Sequence, residues 1–195
     1  MQLKDFATML KLKSNGMIYI FCFCPLPHVD FPCVLGTTIL EGIKEAVGEH
    51  SEVIYEQNPS SATFEGQEFS FAIVVVGEPA YAESKGNNVE LKIPFDGANV
   101  INMVAERVPT LVVLISGRPL VLEPELLEKM DALIAAWLPG SQGEGVADVI
   151  FGDYEFQGKL PVTWFKRVDP LPMTYGDEHY DPLFPLGFGL NMKMH

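Results

Sequence analysis

A chain of 195 residues, 48% of them apolar, is long enough to bury the core of one large domain. With 13 basic against 26 acidic residues the net charge is −13. Such a field repels phosphate backbones and anionic lipid headgroups, disfavouring nucleic acid and membrane surfaces as partners while remaining compatible with a neutral ligand such as a sugar.

Residues 1–35 differ from the remainder: a basic start, an aromatic and cysteine-rich run, then a Pro-rich loop. They are set apart as an atypical N-terminal segment, with 36–195 as the domain proper. Met17 to Cys24 (MIYIFCFC) is too short to span a bilayer and is followed by Pro25 and Pro27 rather than by small residues. It therefore reads as a buried strand, with a marginal likeness to a signal-peptide core. Cys22, Cys24 and Cys33 are the only cysteines, so no disulfide framework holds the fold. Cys-x-Cys with His28 nearby is poor zinc spacing, and buried, inert thiols are the preferred reading.

From Gly36 the pattern becomes regular. Thr38 and Glu41 form a capping box ahead of Ile39, Leu40, Ile43 and Val47, predicting a helix over 38–48. A short strand is expected over 52–55, then a polar connection, then the continuous apolar run 71–76 of a strand buried on both faces. Helices near 97–107, 124–130 and 144–151 alternate with strands at 111–115, 132–136 and 160–164. That alternation implies an α/β domain, a mainly parallel sheet sandwiched by helices. The Pro- and aromatic-rich tail from residue 170 is expected to wrap the surface as an ordered loop.

Ligands of open α/β sheets bind at the carboxyl ends of the strands. After Val76 comes Gly77-Glu78-Pro79-Ala80-Tyr81-Ala82-Glu83-Ser84-Lys85-Gly86-Asn87-Asn88, the loop richest in functional groups. Gly77 lets the chain turn, and partial burial of Glu78 beside apolar strand tips would raise its carboxyl pKa, as a proton donor needs. Position alone favours a solvated loop acid. Arg118 reads first as a structural ion-pair residue and second as a partner for an acid of that loop, and Trp137 first as core and second as a face for a sugar ring. Gly140-x-x-Gly143-x-Gly145 has the wrong spacing for a dinucleotide loop. Ser116 lacks a nucleophile elbow. His28, His50, His179 and His195 show no metal spacing.

Five segments in fixed order carry a resemblance: GTTILEGIKEAV, FAIVVVGEPAYAESKGNN, VVLISGRPLVLEP, DALIAAWLPGSQGEGVADVIFGDYEFQGKLPVTWFK and LPMTYGDEHYDPLFPLGFGL. From Gly36 to Leu190 the chain resembles the C-terminal α/β-sandwich domain, of flavodoxin-like layering, of plant-type family 3 glycoside hydrolases, the β-glucosidases and glucan exohydrolases. The resemblance implies retaining hydrolysis of O-glycosyl bonds in a β-glucoside or β-glucan. In that family a preceding barrel carries an aspartate nucleophile and the sandwich domain an acid/base glutamate. By motif that glutamate falls on Glu78, with Glu83 as runner-up. No barrel precedes residue 36, so the nucleophile is expected to be absent and the chain inactive alone, or active in trans with a barrel chain. A non-catalytic carbohydrate-binding or regulatory remnant is the alternative. Asn87 stands where the family has Asp, the family's Gly-Trp-rich stretch ahead of GTT is unmatched, and Tyr19 to Phe23 is the candidate for its opening strand. Two-carboxylate chemistry needs no cofactor or metal. The family's location implies the cell wall or extracellular space.

Overall fold

The computed structural model describes residues 17–23, 36–81 and 86–189. Five strands, β1 (Met17–Phe23), β2 (Glu52–Glu56), β3 (Phe69–Gly77), β4 (Thr110–Ile115) and β5 (Ala132–Trp137), form one sheet in the order β2-β1-β3-β4-β5. Every pairing is parallel. Among the described residues four α-helices accompany them: α1 (Ile39–Val47), α2 (Gly97–Ala105), α3 (Pro124–Lys129) and α4 (Gly143–Phe151).

Side chains alternate across a strand, so the uninterrupted apolar run of β3 supplies two cores at once. Phe71, Ile73 and Val75 join Leu111 and Val113 of β4 beneath Ile43 of α1 and Ala147 and Ile150 of α4. Ala72, Val74 and Val76 join Val112 and Leu114 on the other face, beneath Ile101 and Val104 of α2 and Leu126 of α3. This is the helix–sheet–helix layering expected from the sequence.

α1 begins as its sequence dictates. The Thr38 side chain accepts from the Glu41 N–H, and the Glu41 carboxylate returns to the Thr38 N–H at 2.8 Å. α1 and α4 approach so closely that a Cβ on Gly143 would lie 2.2 Å from the Thr38 carbonyl carbon and 2.4 Å from the Ile39 nitrogen. Gly143 instead donates its N–H to the Thr37 carbonyl at 2.8 Å. Gly143 thus serves helix packing, and Gly140, at a φ of 60°, the turn before it.

Two expectations change. Met17–Phe23 lies ahead of the division drawn at residues 35 and 36, yet it pairs with β2 on one side and β3 on the other, so the sheet includes it. The strand expected at 160–164 is not one. Pro161 has no N–H to give a ladder, and the segment pairs with the tail only in pieces: Leu160 with Gly187 and Phe188, Trp164 with Leu183 and Phe184. That interrupted pairing fixes the tail against the sheet. Trp164, 2% exposed, donates its indole N–H to the Leu120 carbonyl at 2.8 Å.

Candidate active site

In the order β2-β1-β3-β4-β5 the chain steps from β1 to β2 on one side and then crosses to β3 on the other. The carboxyl ends of β1 and β3 are therefore a topological switch point, where an open α/β sheet places its ligand crevice. The loop opened by Gly77 begins there. Gly77 is required by its neighbour strand, because a Cβ on it would lie 2.3 Å from the Ile115 carbonyl oxygen of β4. The next residue, Glu78, hangs from that same carbonyl through its N–H at 2.9 Å.

The sheet thereby aims the Glu78 side chain at the end of β4, where Ser116 and Arg118 follow. Arg118 Nη2 reaches Glu78 Oε1 at 2.6 Å, and Arg118 Nε lies 3.1 Å from Oε1 and 3.3 Å from Oε2. Tyr81 donates its hydroxyl to Oε2 at 3.0 Å. Ser116 Oγ lies 2.7 Å from Oε2 and 2.7 Å from the Arg118 carbonyl, and its single proton serves one of them at a time. The Glu78 side chain is 5% exposed and that of Arg118 27%. The guanidinium also stands over the Tyr81 ring, 4.6 Å from its centroid, and its Nη1 donates to the Gly86 carbonyl at 2.6 Å.

The electrostatics reverse the expectation for Glu78. Burial, the largest single influence, pushes its carboxyl up. Hydrogen bonds from Arg118, Ser116 and Tyr81, with the charge of the guanidinium, together outweigh burial and hold the carboxyl below its ordinary value. Burial and the bond to Glu78 raise the Tyr81 phenol, and the bond to Glu78 raises Arg118. The carboxylate, the guanidinium and the neutral phenol thus stabilise one another. A charge-assisted pair of this kind fixes geometry well and releases a proton poorly.

Glu83, the loop's other carboxyl, lies outside the described residues, as do Cys24, Cys33, His28 and His195. Cys22 falls within β1. Trp137 ends β5 with a positive φ of 54° and, partly buried, packs against the core on Trp164, ring centroids 6.1 Å apart. Ser116 serves Glu78 and is set up as no nucleophile. His179 is exposed in the tail. Among the described residues no three His, Cys, Asp or Glu side chains gather as metal ligands would, and no helix is long and apolar enough to cross a membrane. Sequence reasoning flagged Arg118 but missed Tyr81 and Gly86. The latter pair left one signal, a glycine five residues after an aromatic: a Cβ on Gly86 would sit 2.4 Å from Tyr81 Cδ2.

Residues 16–192 match the model of the glycosyl hydrolase family 3 C-terminal domain. The chain is 26% identical to a periplasmic beta-glucosidase of Salmonella typhimurium, over 79% of this chain and 27% of that protein. It is 30% identical to a beta-xylosidase of Formosa agariphila, over 79% of this chain and 25% of that one. Among solved structures, a point-mutant form of the exo-1,3/1,4-beta-glucanase ExoP from a Pseudoalteromonas species superposes with a TM-score of 0.79 at 30% identity, covering 94% of this chain and 33% of the other. The chain thus spans roughly a quarter to a third of the length of these three proteins.

Proposed function

The chain belongs to glycosyl hydrolase family 3, matching its C-terminal domain over residues 16–192, and we propose that it supplies the acid/base half of a retaining β-glucosidase or exo-β-glucanase site. The observation that carries this reading is a carboxylate-bearing loop anchored at the switch point of the sheet. Retaining hydrolysis needs two carboxyls about 5 Å apart, one attacking the anomeric carbon and one protonating the leaving oxygen before activating water. The nucleophile then comes from outside this domain, from a barrel of the kind the family resemblance implies. The chain on its own is catalytically incomplete.

Between the two acids of the loop, the enclosure of Glu78 argues against it for the proton transfer. Glu78 is closed in by three donor side chains and kept ionised, the state opposite to that of a general acid at the start of turnover. Glu83, five residues on, is the remaining carboxyl of the same loop. On this reading Glu78 has a structural role and Glu83 the acid/base one. The substrate is a β-linked glucoside, the common ground of the glucosidases and glucanase among the relatives. A non-cytosolic setting follows from relatives named periplasmic and lysosomal.

The test is hydrolysis of a 2,4-dinitrophenyl β-glucoside by the purified chain, alone and mixed with a separately produced family 3 barrel. The chain alone is expected to match a buffer blank and the mixture to turn over. Glu83→Gln should abolish that turnover, and azide, which replaces the activated water, should restore it. Azide rescue of Glu78→Gln instead would return the acid/base role to Glu78. Sugar binding by the mixture without turnover would favour the non-catalytic alternative.

A further inference from the structure

Ser116 and Arg118, two of the partners of Glu78, stand on one short turn, Ser116-Gly117-Arg118-Pro119-Leu120, that leaves the carboxyl end of β4. A tryptophan holds each end of it. At the start, Ser116 donates its N–H to the Trp137 carbonyl at 3.1 Å. At the end, the Leu120 carbonyl accepts the indole N–H of Trp164 at 2.8 Å, from 44 residues away. Only the second of these bonds is made by a side chain, and the tail aims it. Trp164 donates its backbone N–H to the Phe184 carbonyl at 2.9 Å and accepts from the N–H groups of Leu183 and Phe184 at 2.8 Å and 3.1 Å. The Phe184 ring meets the Trp164 ring edge-on, centroids 6.3 Å apart, and is itself stacked on Phe188 at 4.8 Å. Trp164 and Leu120 are 2% and 0% exposed, so no solvent substitutes for the indole bond if it is lost.

We propose that Trp164 is a positioning residue of the candidate site: its indole N–H, held in place by the tail, braces the turn that presents Ser116 and Arg118 to the Glu78 carboxylate. A phenylalanine at this position keeps an aromatic ring in the core but brings no donor, and it leaves the buried Leu120 carbonyl without this partner. Val121, the next residue, is tied separately through its N–H on the Leu91 carbonyl at 2.6 Å. Loss of the indole bond therefore slackens the turn without freeing the chain beyond it. The bracing is a property of this domain by itself, and its bearing on hydrolysis rests on the proposed function above.

The test is hydrogen exchange at the Arg118 Nε–H, which lies between both Glu78 oxygens, followed by heteronuclear NMR on the full chain. The chain has three arginines, Arg107, Arg118 and Arg167, so the signal lost in Arg118→Lys assigns Arg118, and the exposed Arg107 gives a reference rate in the same sample. Trp164→Phe is expected to speed exchange at Arg118 relative to Arg107 about fivefold or more, the net worth of one intramolecular hydrogen bond. Ile150→Val, which loosens the core on the opposite face of the sheet, should change that ratio by less than about twofold. An unchanged ratio in Trp164→Phe overturns the proposal. So does an equal rise in both variants, because general loosening would then account for it. Where Trp164→Phe does not fold, Phe184→Leu decides the matter: it strips a ring contact from Trp164, and a rise of about threefold supports the bracing while no change overturns it. Failure of the proposed function would appear elsewhere, as a mixture of native chain and barrel that does not turn over, whereas failure of the bracing appears in this ratio alone.

Discussion

Replacing Arg118 by Met leaves the Glu78 carboxylate 5% exposed with its cation gone. Removing one partner of a buried pair costs about 3–5 kcal/mol. Glu78 retains the Ser116 and Tyr81 hydroxyls, which favours the lower end of that range. A ceiling comes from protonation: neutralising a carboxyl of pKa about 4.3 at pH 7 costs about 3.7 kcal/mol, so Glu78 takes up a proton rather than pay more. A loss of about 3 kcal/mol is therefore expected, lowering the melting temperature by about 6–12 °C for a domain of this size. Circular dichroism during thermal and urea unfolding measures it. Adding Glu78→Leu should recover part of the loss, because no buried charge is then left unpaired and Ser116 keeps the residue-118 carbonyl as acceptor, while the Tyr81 hydroxyl and the Gly86 carbonyl still lose these partners. A single-variant loss below about 1 kcal/mol, the level of an exposed ion pair, would refute the view that this pair is effectively buried. So would a double variant whose loss is the plain sum of the two.

Gly143→Ala forces a methyl into backbone atoms of Thr37, Thr38 and Ile39, which cannot swing aside as a side chain would. A loss of about 2–3 kcal/mol is expected in urea unfolding, against near neutrality for Gly145→Ala, where a Cβ meets open space. The pH dependence has a definite sign: the Glu78 pKa is lower folded than unfolded, so its contribution is present above an unfolded value of about 4.3 and lost as the pH falls through the folded one. The gap in melting temperature between the native chain and Glu78→Gln should be widest above about pH 5 and narrow steadily below about pH 4.

Much of the fold was legible because its signals are local. The Thr38–Glu41 capping box, the apolar runs of β3 and β4 and the spacing of α4 each sit within a few residues of one another. The segment 160–164 misled because an apolar pattern does not reveal whether a neighbouring strand offers a continuous ladder; its partner here is a tail broken by Pro185. At the site, the sequence directs attention to the loop after β3, but it does not give the sign of the Glu78 pKa shift. Burial is foreseeable from adjacent apolar residues, whereas the outweighing donors come chiefly from Arg118, 40 residues away, and Ser116, 38 residues away. Only the register of β3 against β4, Gly77 beside Ile115, brings them together.

The place of β1 bears on how this domain can be cut. Met17–Phe23 is separated in sequence from β2 and β3 but lies between them in the sheet. A version trimmed to begin at residue 36 would not lose a dispensable margin. It would split the sheet, stranding β2 and baring the long, apolar flank of β3 as a row of unpaired N–H and C=O groups. Such an edge templates pairing with other copies. More aggregation from the trimmed sequence than from the full one is the contrast that this strand order implies.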